Sequence, residues 1–117
     1  MRQKESELQQ SCVKWFRYAY PKQSQVLFAV PNGGYRNIAT ARKLKAEGVT
    51  PGVSDLILLV PKRGYHGLCI EMKHGKGKQS PKQVAWEKAV KKQGYHYVVV
   101  RSFAGFTQLI KDYLHGG

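Results

Sequence analysis

The segment 55–73 predicts a β-hairpin, and it constrains the possible fold more than any other part of the chain. Two apolar runs flank a turn-forming stretch that contains Arg63. A turn centred on Arg63 leaves Asp55 and Glu71 equally far from the centre of the hairpin. Antiparallel pairing then sets the two carboxylates opposite or diagonal to each other, and strand alternation puts Lys73 on the same face as Glu71. The hairpin therefore brings two acids and one ammonium group to its open end.

Composition bears on what these charged residues do. The chain has 20 Lys and Arg residues but only 7 Asp and Glu, for a formal net charge of +13. An isolated cluster of this kind is most often a solvated set of ion pairs at the end of a sheet. In a chain with so few acids, carboxylates beside an apolar strand favour a functional site, and simple ion pairing stays as the alternative.

The residue types at the open end match the needs of phosphodiester hydrolysis. Carboxylate and carbonyl oxygens are the ligands that Mg²⁺ and Mn²⁺ prefer. Asp55 and Glu71 supply two such ligands, and the main-chain carbonyl of Met72 is a candidate for a third. Three roles fit Lys73: orienting the attacking water, deprotonating it, or stabilising the pentacovalent phosphate. The expected cofactor is therefore Mg²⁺ or Mn²⁺.

Two further catalytic candidates lie on predicted helices. Glu5 shares a helix face with apolar residues such as Leu8 and is expected to point inward. The alternative for Glu5 is an acid that complements the helix macrodipole. Gln83 follows Ser80 in a capping-box pattern, so its amide could satisfy the helix N-terminus instead of serving catalysis. From the residues alone, both alternatives stay open.

The whole chain, residues 1–117, is predicted to form one domain. Apolar periodicity, turn signals and caps give the order α-β-α-β-β-α-β-α, a mixed β-sheet flanked by helices in the α/β class. In the second helix, Ile38, Ala41 and Leu44 are expected to face inward. The predicted helices are 5–20, 38–47, 80–93 and 103–114, and the predicted strands outside the hairpin are 25–30 and 95–101.

The strong positive charge indicates a polyanionic partner, and nucleic acid is the leading candidate. A turn at Asn32 followed by Tyr35 and Arg36 suits a phosphate or an unpaired base, although an ordinary hairpin turn explains it equally well. Basic side chains also cluster around the second and third helices, where a solvated surface role is the alternative for each lysine. The candidate nucleic-acid contacts are Asn32, Tyr35, Arg36, Arg42, Lys43, Lys45, Lys76, Lys78 and Lys82.

The sequence carries no sign of a membrane segment or an export signal. No apolar run is long enough to cross a bilayer, and the N-terminus lacks a signal-peptide pattern. Cys12 and Cys69 stand alone, without a disulfide framework or zinc-ligand spacing. We therefore expect a cytoplasmic protein with no membrane partner and no small-molecule cofactor.

Glu5 lies in the first predicted helix, and four motifs follow it along the chain: VPNGG at 30–34, GVTPGVSDL at 48–56, IEMK at 70–73 and SPKQVAW at 80–86. Taken in this order, they resemble the VRR-NUC (virus-type replication-repair nuclease) domain of the PD-(D/E)xK nuclease superfamily. Ser54 departs from the pattern, since many members have a proline before the aspartate; that proline shapes the backbone and carries no chemistry.

The resemblance implies a restriction-endonuclease-like core and a Mg²⁺- or Mn²⁺-dependent DNA endonuclease. Asp55, Glu71 and Lys73 match the core motif of the superfamily, while Glu5 and Gln83 match its helix Glu and helix Gln. Similarity to stand-alone members implies a homodimer that cuts branched DNA such as Holliday junctions. The alternatives are a nuclease acting on flap or single-stranded DNA, a nucleic-acid-binding module with an inactive metal site, and a basic RNA-binding protein.

Overall fold

A mixed β-sheet organises the chain in the computed structural model, which describes residues 2–31 and 37–116. Among these residues the sheet has four strands in the spatial order β1-β2-β3-β4. Strands β1 and β2 pair antiparallel, as do β2 and β3, whereas β3 and β4 run parallel. The strands are β1 (Leu27–Ala29), β2 (Leu56–Leu58), β3 (Leu68–Met72) and β4 (His96–Val100).

The helices confirm the predicted order of elements. Parallel strands need a crossover, and the third helix supplies the connection between β3 and β4. In the described part of the chain, the helices are α1 (Arg2–Ala19), α2 (Ile38–Ala46), α3 (Pro81–Lys92) and α4 (Phe103–His115). None of these helices is both long enough and apolar enough to cross a membrane.

The first predicted strand, 25–30, is wrong at its beginning. Residues Pro21–Val26 form a 3₁₀ helix, and β1 starts only at Leu27. Proline at the first helical position has a backbone angle that suits a helix start, and the Gln23 N–H donates to the Tyr20 carbonyl at 3.0 Å. The chain therefore turns before it can join the sheet, which shortens β1 to three residues.

The predicted register of the hairpin is confirmed. Leu56 lies opposite Ile70, and Leu58 lies opposite Leu68. One step further along this register, Asp55 lies opposite Glu71. The count from Arg63 therefore located the open end correctly.

The two faces of the sheet have different partners. Alternate residues of β3, including Ile70 and Met72, join the apolar core together with Phe16 of α1 and Phe106 of α4. The intervening residue Glu71 points to the opposite face, where it contacts α3. The open end of the hairpin thus lies between the sheet and α3, away from the main core.

Helix α2 does not pack as predicted. Ile38 is 71% exposed and Ala41 is also exposed, while Leu44 is only partly buried. The helix has only nine residues and no buried side chain. Local interactions stabilise it instead: the Asn37 side chain accepts a hydrogen bond from the Thr40 N–H at 2.7 Å.

Candidate active site

Asp55, Glu71 and Lys73 meet at the open end of the hairpin. The Met72 N–H donates to Asp55 Oδ2 at 2.7 Å, which fixes that carboxylate at the edge of β3. Lys73 Nζ lies 3.8 Å from Glu71 Oε2. Glu71 is only 2% exposed, whereas the side chains of Asp55 and Lys73 are partly exposed. The site is therefore a buried carboxylate reached from solvent past a second carboxylate and an ammonium group.

The burial of Glu71 has an electrostatic consequence. The pKa of Glu71 is raised to about 8, mainly by desolvation and then by the charge and hydrogen bonding of Asp55. Lys73 and the Tyr97 hydroxyl act in the opposite direction. Two carboxylates side by side in a partly dry site are unfavourable unless a cation neutralises them. This arrangement suits a site that binds a cation.

Gln83 both forms the predicted capping box and contacts the carboxylate cluster, while its catalytic role stays a prediction. Its Oε1 accepts from the Ser80 N–H at 2.8 Å, and the Ser80 hydroxyl accepts from the Gln83 N–H at 3.2 Å, which completes a capping box. The same Oε1 accepts from Lys73 Nζ at 2.9 Å, and Nε2 donates to Glu71 Oε2 at 3.0 Å. The helix cap therefore holds Gln83 where it bridges the carboxylate and the ammonium.

Gly52 explains how α3 comes so close to the site. Its φ of +85° favours glycine, and a Cβ at this position would collide with the carbonyl of Lys82 and lie 2.9 Å from the Gln83 nitrogen. The loop before β2 thus packs its backbone directly against the first turn of α3. This contact positions Gln83 next to Glu71.

Sequence reasoning missed a hydrogen-bond network behind Glu71. The Tyr97 hydroxyl donates to Glu71 Oε1 at 3.4 Å, and Gln79 Nε2 donates to both the Tyr97 hydroxyl at 3.1 Å and Glu87 Oε1 at 2.9 Å. Lys91 pairs with Glu87 at 2.6 Å. Burial, followed by the charge of Glu71, raises the pKa of Tyr97 and keeps it a donor. The parallel register of β3 and β4 places Tyr97 on the face of Glu71, but that register was not readable from the sequence.

The residues present fit a hard divalent cation. Asp55 and Glu71 offer carboxylate oxygens, and the Met72 carbonyl points to the same side of β3 as the Met72 N–H that reaches Asp55. Across residues 2–31 and 37–116, no three His, Cys, Asp or Glu side chains converge as a metal site. Two carboxylates with places left for water and phosphate are the donor set that Mg²⁺ uses in phosphate-processing sites.

The comparisons with known proteins agree with this geometry. The family model of the VRR-NUC domain matches residues 1–104. The chain belongs to the VRR-NUC family. A solved structure of a "VRR_NUC domain protein" is similar in fold, with a TM-score of 0.83 and 28% identity, over 97% of this chain and 89% of the other. A comparison with curated proteins gave no match. The chain therefore carries a nuclease-type domain with the VRR-NUC fold.

Glu5, the helix acid of the VRR-NUC pattern, is not drawn into the cluster. It is partly buried while Glu7 is exposed, which confirms the predicted direction of the helix face. Within the described part of the chain, Glu5 makes no hydrogen bond or ion pair to Asp55 or Glu71. Its catalytic role stays a prediction.

Ser54, which stands in place of the proline found in many VRR-NUC members, is fully buried. Its hydroxyl donates to the carbonyl of Leu56 at 3.1 Å and also interacts with the Cys69 thiol, where it lowers a pKa that burial raises. A buried hydroxyl without a partner would be unfavourable. This serine therefore shapes the backbone before Asp55 through a hydrogen bond rather than through a ring.

The candidate nucleic-acid contacts of this VRR-NUC domain fall into three groups. Asn32, Tyr35 and Arg36 lie outside the described residues. On the exposed surface of α2, Lys43 pairs with Glu47 at 3.6 Å, and Lys45 shares a groove of about 250 Å³ with Lys82 at the start of α3. Arg42 is also exposed on α2, and the third group is the exposed pair Lys76 and Lys78 in the loop before α3.

The loop that carries Lys76 and Lys78 is tied to the end of β4. Arg101 Nη1 donates to the Gly75 carbonyl at 2.9 Å and to the Gly77 carbonyl at 2.7 Å. Because this loop follows Lys73 directly, its two lysines are held beside the open end of the hairpin. The position suits contacts to a phosphate backbone that enters the site.

Proposed function

We propose that this protein is a Mg²⁺- or Mn²⁺-dependent endonuclease that hydrolyses phosphodiester bonds in DNA. The observation that carries the proposal is the buried Glu71 carboxylate beside Asp55, bridged by Gln83 to Lys73. A structural ion-pair cluster has no reason to bury one acid against another. The family membership supports the same conclusion, since the domain is of nuclease type.

Each side chain has a distinct task in this proposal. Asp55 and Glu71 would hold the cation, which when bound would supply positive charge at the phosphate and lower the pKa of a water molecule. Lys73 sits 3.8 Å from Glu71 and faces the same space, so its ammonium orients the attacking water or stabilises the developing charge on the phosphate. Gln83 keeps the Lys73 ammonium in place through its 2.9 Å hydrogen bond.

We further propose that the substrate is branched DNA, with Holliday junctions favoured, and that the active species is a homodimer. The described residues form one candidate active site per chain, and the net charge of +13 favours a polyanionic substrate. Two copies related by a two-fold axis would present two such sites to the symmetric arms of a junction. Light scattering of the protein with and without junction DNA tests this: a monomer in both samples would reject the homodimer.

The activity is tested with labelled four-way junction, flap and plain duplex DNA, each in Mg²⁺, Mn²⁺ or EDTA. Wild-type protein should cleave only with metal, and Asp55→Ala should abolish cleavage while DNA binding is retained. Asp112→Ala is the matched control, because it removes an exposed acid from α4, remote from the site. Tight junction binding without cleavage by the wild type in either metal would instead favour a binding module. Equal cleavage by wild type and Asp55→Ala would reject the assigned site.

A further inference from the structure

A groove runs between α1 and the edge strand β1, outside the site described above. It encloses about 500 Å³, and Gln9, Gln10, Lys14, Arg17 and Phe28 are among the residues that line it. None of the lining residues is acidic. The groove therefore combines two cations, two amides and one aromatic ring.

The groove adjoins the candidate active site. Phe28 lies opposite Ile57 in the sheet, and Ile57 is two residues from Asp55, so alternation places all three side chains on one face. Two residues of a strand span only about 7 Å. The Val30 N–H donates to the Asp55 carbonyl at 2.9 Å, so the end of β1 is also fixed to Asp55, one of the two proposed metal ligands.

The aromatic ring in this groove is open to solvent. Phe28 is 37% exposed although it lies on a strand of the sheet. An exposed ring beside a phosphodiesterase site offers a surface on which an unpaired base can stack, an interaction of about 1–3 kcal/mol per base. Phe28 also borders an apolar pocket with Trp86 and Val90 of α3, so this helix reaches the face of β1 while the ring stays partly open to solvent.

The two cations are free to contact phosphates. Lys14 and Arg17 are three residues apart on α1, so they are neighbours on one face of the helix. Both are exposed, and neither forms an ion pair with any residue that the structure describes. By contrast, Lys43 pairs with Glu47 at the end of α2, and Lys91 pairs with Glu87 of α3. A second copy of this chain would bring the same two positive charges to the groove, which disfavours it as the occupant.

We propose that this groove binds an unpaired single strand of the DNA substrate and leads it from the cleavage site along α1. The proposal rests on the proposed nuclease function and names a strand-binding site for it. Phe28 stacks on a base, while Lys14 and Arg17 contact the phosphates on either side. Gln9 and Gln10 offer amide groups to base edges.

The test is a titration of fluorescein-labelled oligo-dT of about 12 nucleotides in EDTA, so that neither metal nor cleavage is required. Phe28→Leu, which keeps an apolar side chain but removes the ring, should weaken binding about tenfold. Lys14→Gln with Arg17→Gln should lower the slope of log affinity against log salt by about 1.4, since two phosphate contacts are lost. The matched control is Lys88→Gln with Lys111→Gln, which removes the same charge from exposed positions on α3 and α4.

A 2-aminopurine base within the oligonucleotide reports stacking directly. Its fluorescence should be quenched by the wild type and by the lysine control but not by Phe28→Leu. Equal affinity and equal salt slope in the double variant Lys14→Gln with Arg17→Gln and in the control Lys88→Gln with Lys111→Gln would overturn the proposal. So would light scattering that shows a dimer dissociated by the groove substitutions, because the groove would then be an interface between copies. A wild type that binds oligo-dT through the groove yet cleaves nothing would reject the nuclease function and leave this site standing.

Discussion

The two ends of the β2–β3 hairpin are built from similar residues but use them differently. At the turn end, Arg63 adopts a φ of +55° and donates to the Asp112 carbonyl of α4 at 2.8 Å. The Tyr113 hydroxyl donates to the Val60 carbonyl at 2.6 Å, and Tyr65 stacks on His96 with ring centroids 4.6 Å apart. The polar groups at this end are used to close the fold.

At the open end, the polar groups are turned toward one another around a space. Glu71 is buried beside Asp55 with its pKa raised to about 8, and Gln83 is shared between Glu71 and Lys73. The same hairpin thus ends in satisfied structural contacts on one side and in two carboxyl groups held side by side on the other. The difference indicates that the open end is built for a ligand and the turn end for stability, and paired substitutions can test this.

The largest contrast is expected between the positively charged side chains at the two ends of the hairpin, Lys73 and Arg63. Lys73→Met removes the ammonium that faces the reacting phosphate and should lower the cleavage rate about a thousandfold, with metal binding retained. Arg63→Met at the turn end should leave the cleavage rate unchanged and lower the free energy of unfolding by about 1 kcal/mol through its lost hydrogen bond. Cleavage kinetics and urea unfolding measure the two effects. Equal loss of rate in both variants would contradict the comparison.

The next contrast concerns the acids and the pH dependence of stability without metal. The folded-state pKa of Glu71, about 8, lies above its ordinary value of 4.5, so between these pH values only the unfolded chain is ionised at this position. The free energy of unfolding should therefore fall as pH rises from about 4.5 to about 8, by a few kcal/mol. Glu71→Gln should flatten this fall in EDTA, whereas Asp112→Asn at the turn end should follow the wild type. Thermal melts between pH 5 and pH 8 measure this fall in stability. If stability fell with pH in Glu71→Gln as steeply as in the wild type, Glu71 would not be its cause.

Two glycines give a third contrast with matched backbone strain. Gly52 and Gly64 have φ values of +85° and +83°, so alanine should destabilise either position by about 1 kcal/mol. A Cβ at Gly64 meets no atom within 4 Å, whereas one at Gly52 collides with the backbone of α3 that carries Gln83. Gly52→Ala should therefore also lower the cleavage rate, by about tenfold to a hundredfold. If the two variants cleaved DNA at the same rate, the proposal that Gly52 positions α3 would be rejected.

The smallest contrast separates two tyrosine hydroxyls. Tyr97→Phe removes the donor to Glu71 Oε1 and should weaken metal binding about tenfold, the lower end of the effect typical of residues that orient a ligand. Tyr113→Phe removes the donor to the Val60 carbonyl and should affect only stability, by about 1 kcal/mol. Calorimetric metal titration and urea unfolding distinguish them. If Tyr97→Phe kept the metal affinity of the wild type, the hydrogen-bond network behind Glu71 would have no role in metal binding.

The sequence predicted the open end well because the hairpin is local. Counting from Arg63 requires only the alternation of a strand, and it placed Asp55 opposite Glu71 and Lys73 beside it. The capping box of Gln83 was also readable, since it spans four residues. That the same amide reaches Glu71 depends on where α3 lies, which no local pattern specifies.

The features that sequence reasoning missed depend on distant segments. Tyr97 meets Glu71 only through the parallel register of β3 and β4, and Gly52 meets α3 across the loop before β2. The inward face predicted for α2 was wrong because a helix with a short apolar stripe can stay outside the core when its cap and surface pairs stabilise it. The start of β1 was wrong because Pro21 begins a 3₁₀ helix.

The most direct test of the central claim is a calorimetric titration of Mn²⁺ into the DNA-free protein at pH 7. We expect Mn²⁺ binding to require both carboxylates. Asp55→Asn and Glu71→Gln should therefore each abolish it, whereas Asp112→Asn should bind Mn²⁺ as the wild type does. Because Glu71 has a pKa of about 8 without metal, binding should also release a proton, seen as a difference in heat between two buffers of different ionisation enthalpy. Binding of equal strength in wild type and Asp55→Asn, or no binding at all to the wild type, would contradict the assignment of the open end as a metal site.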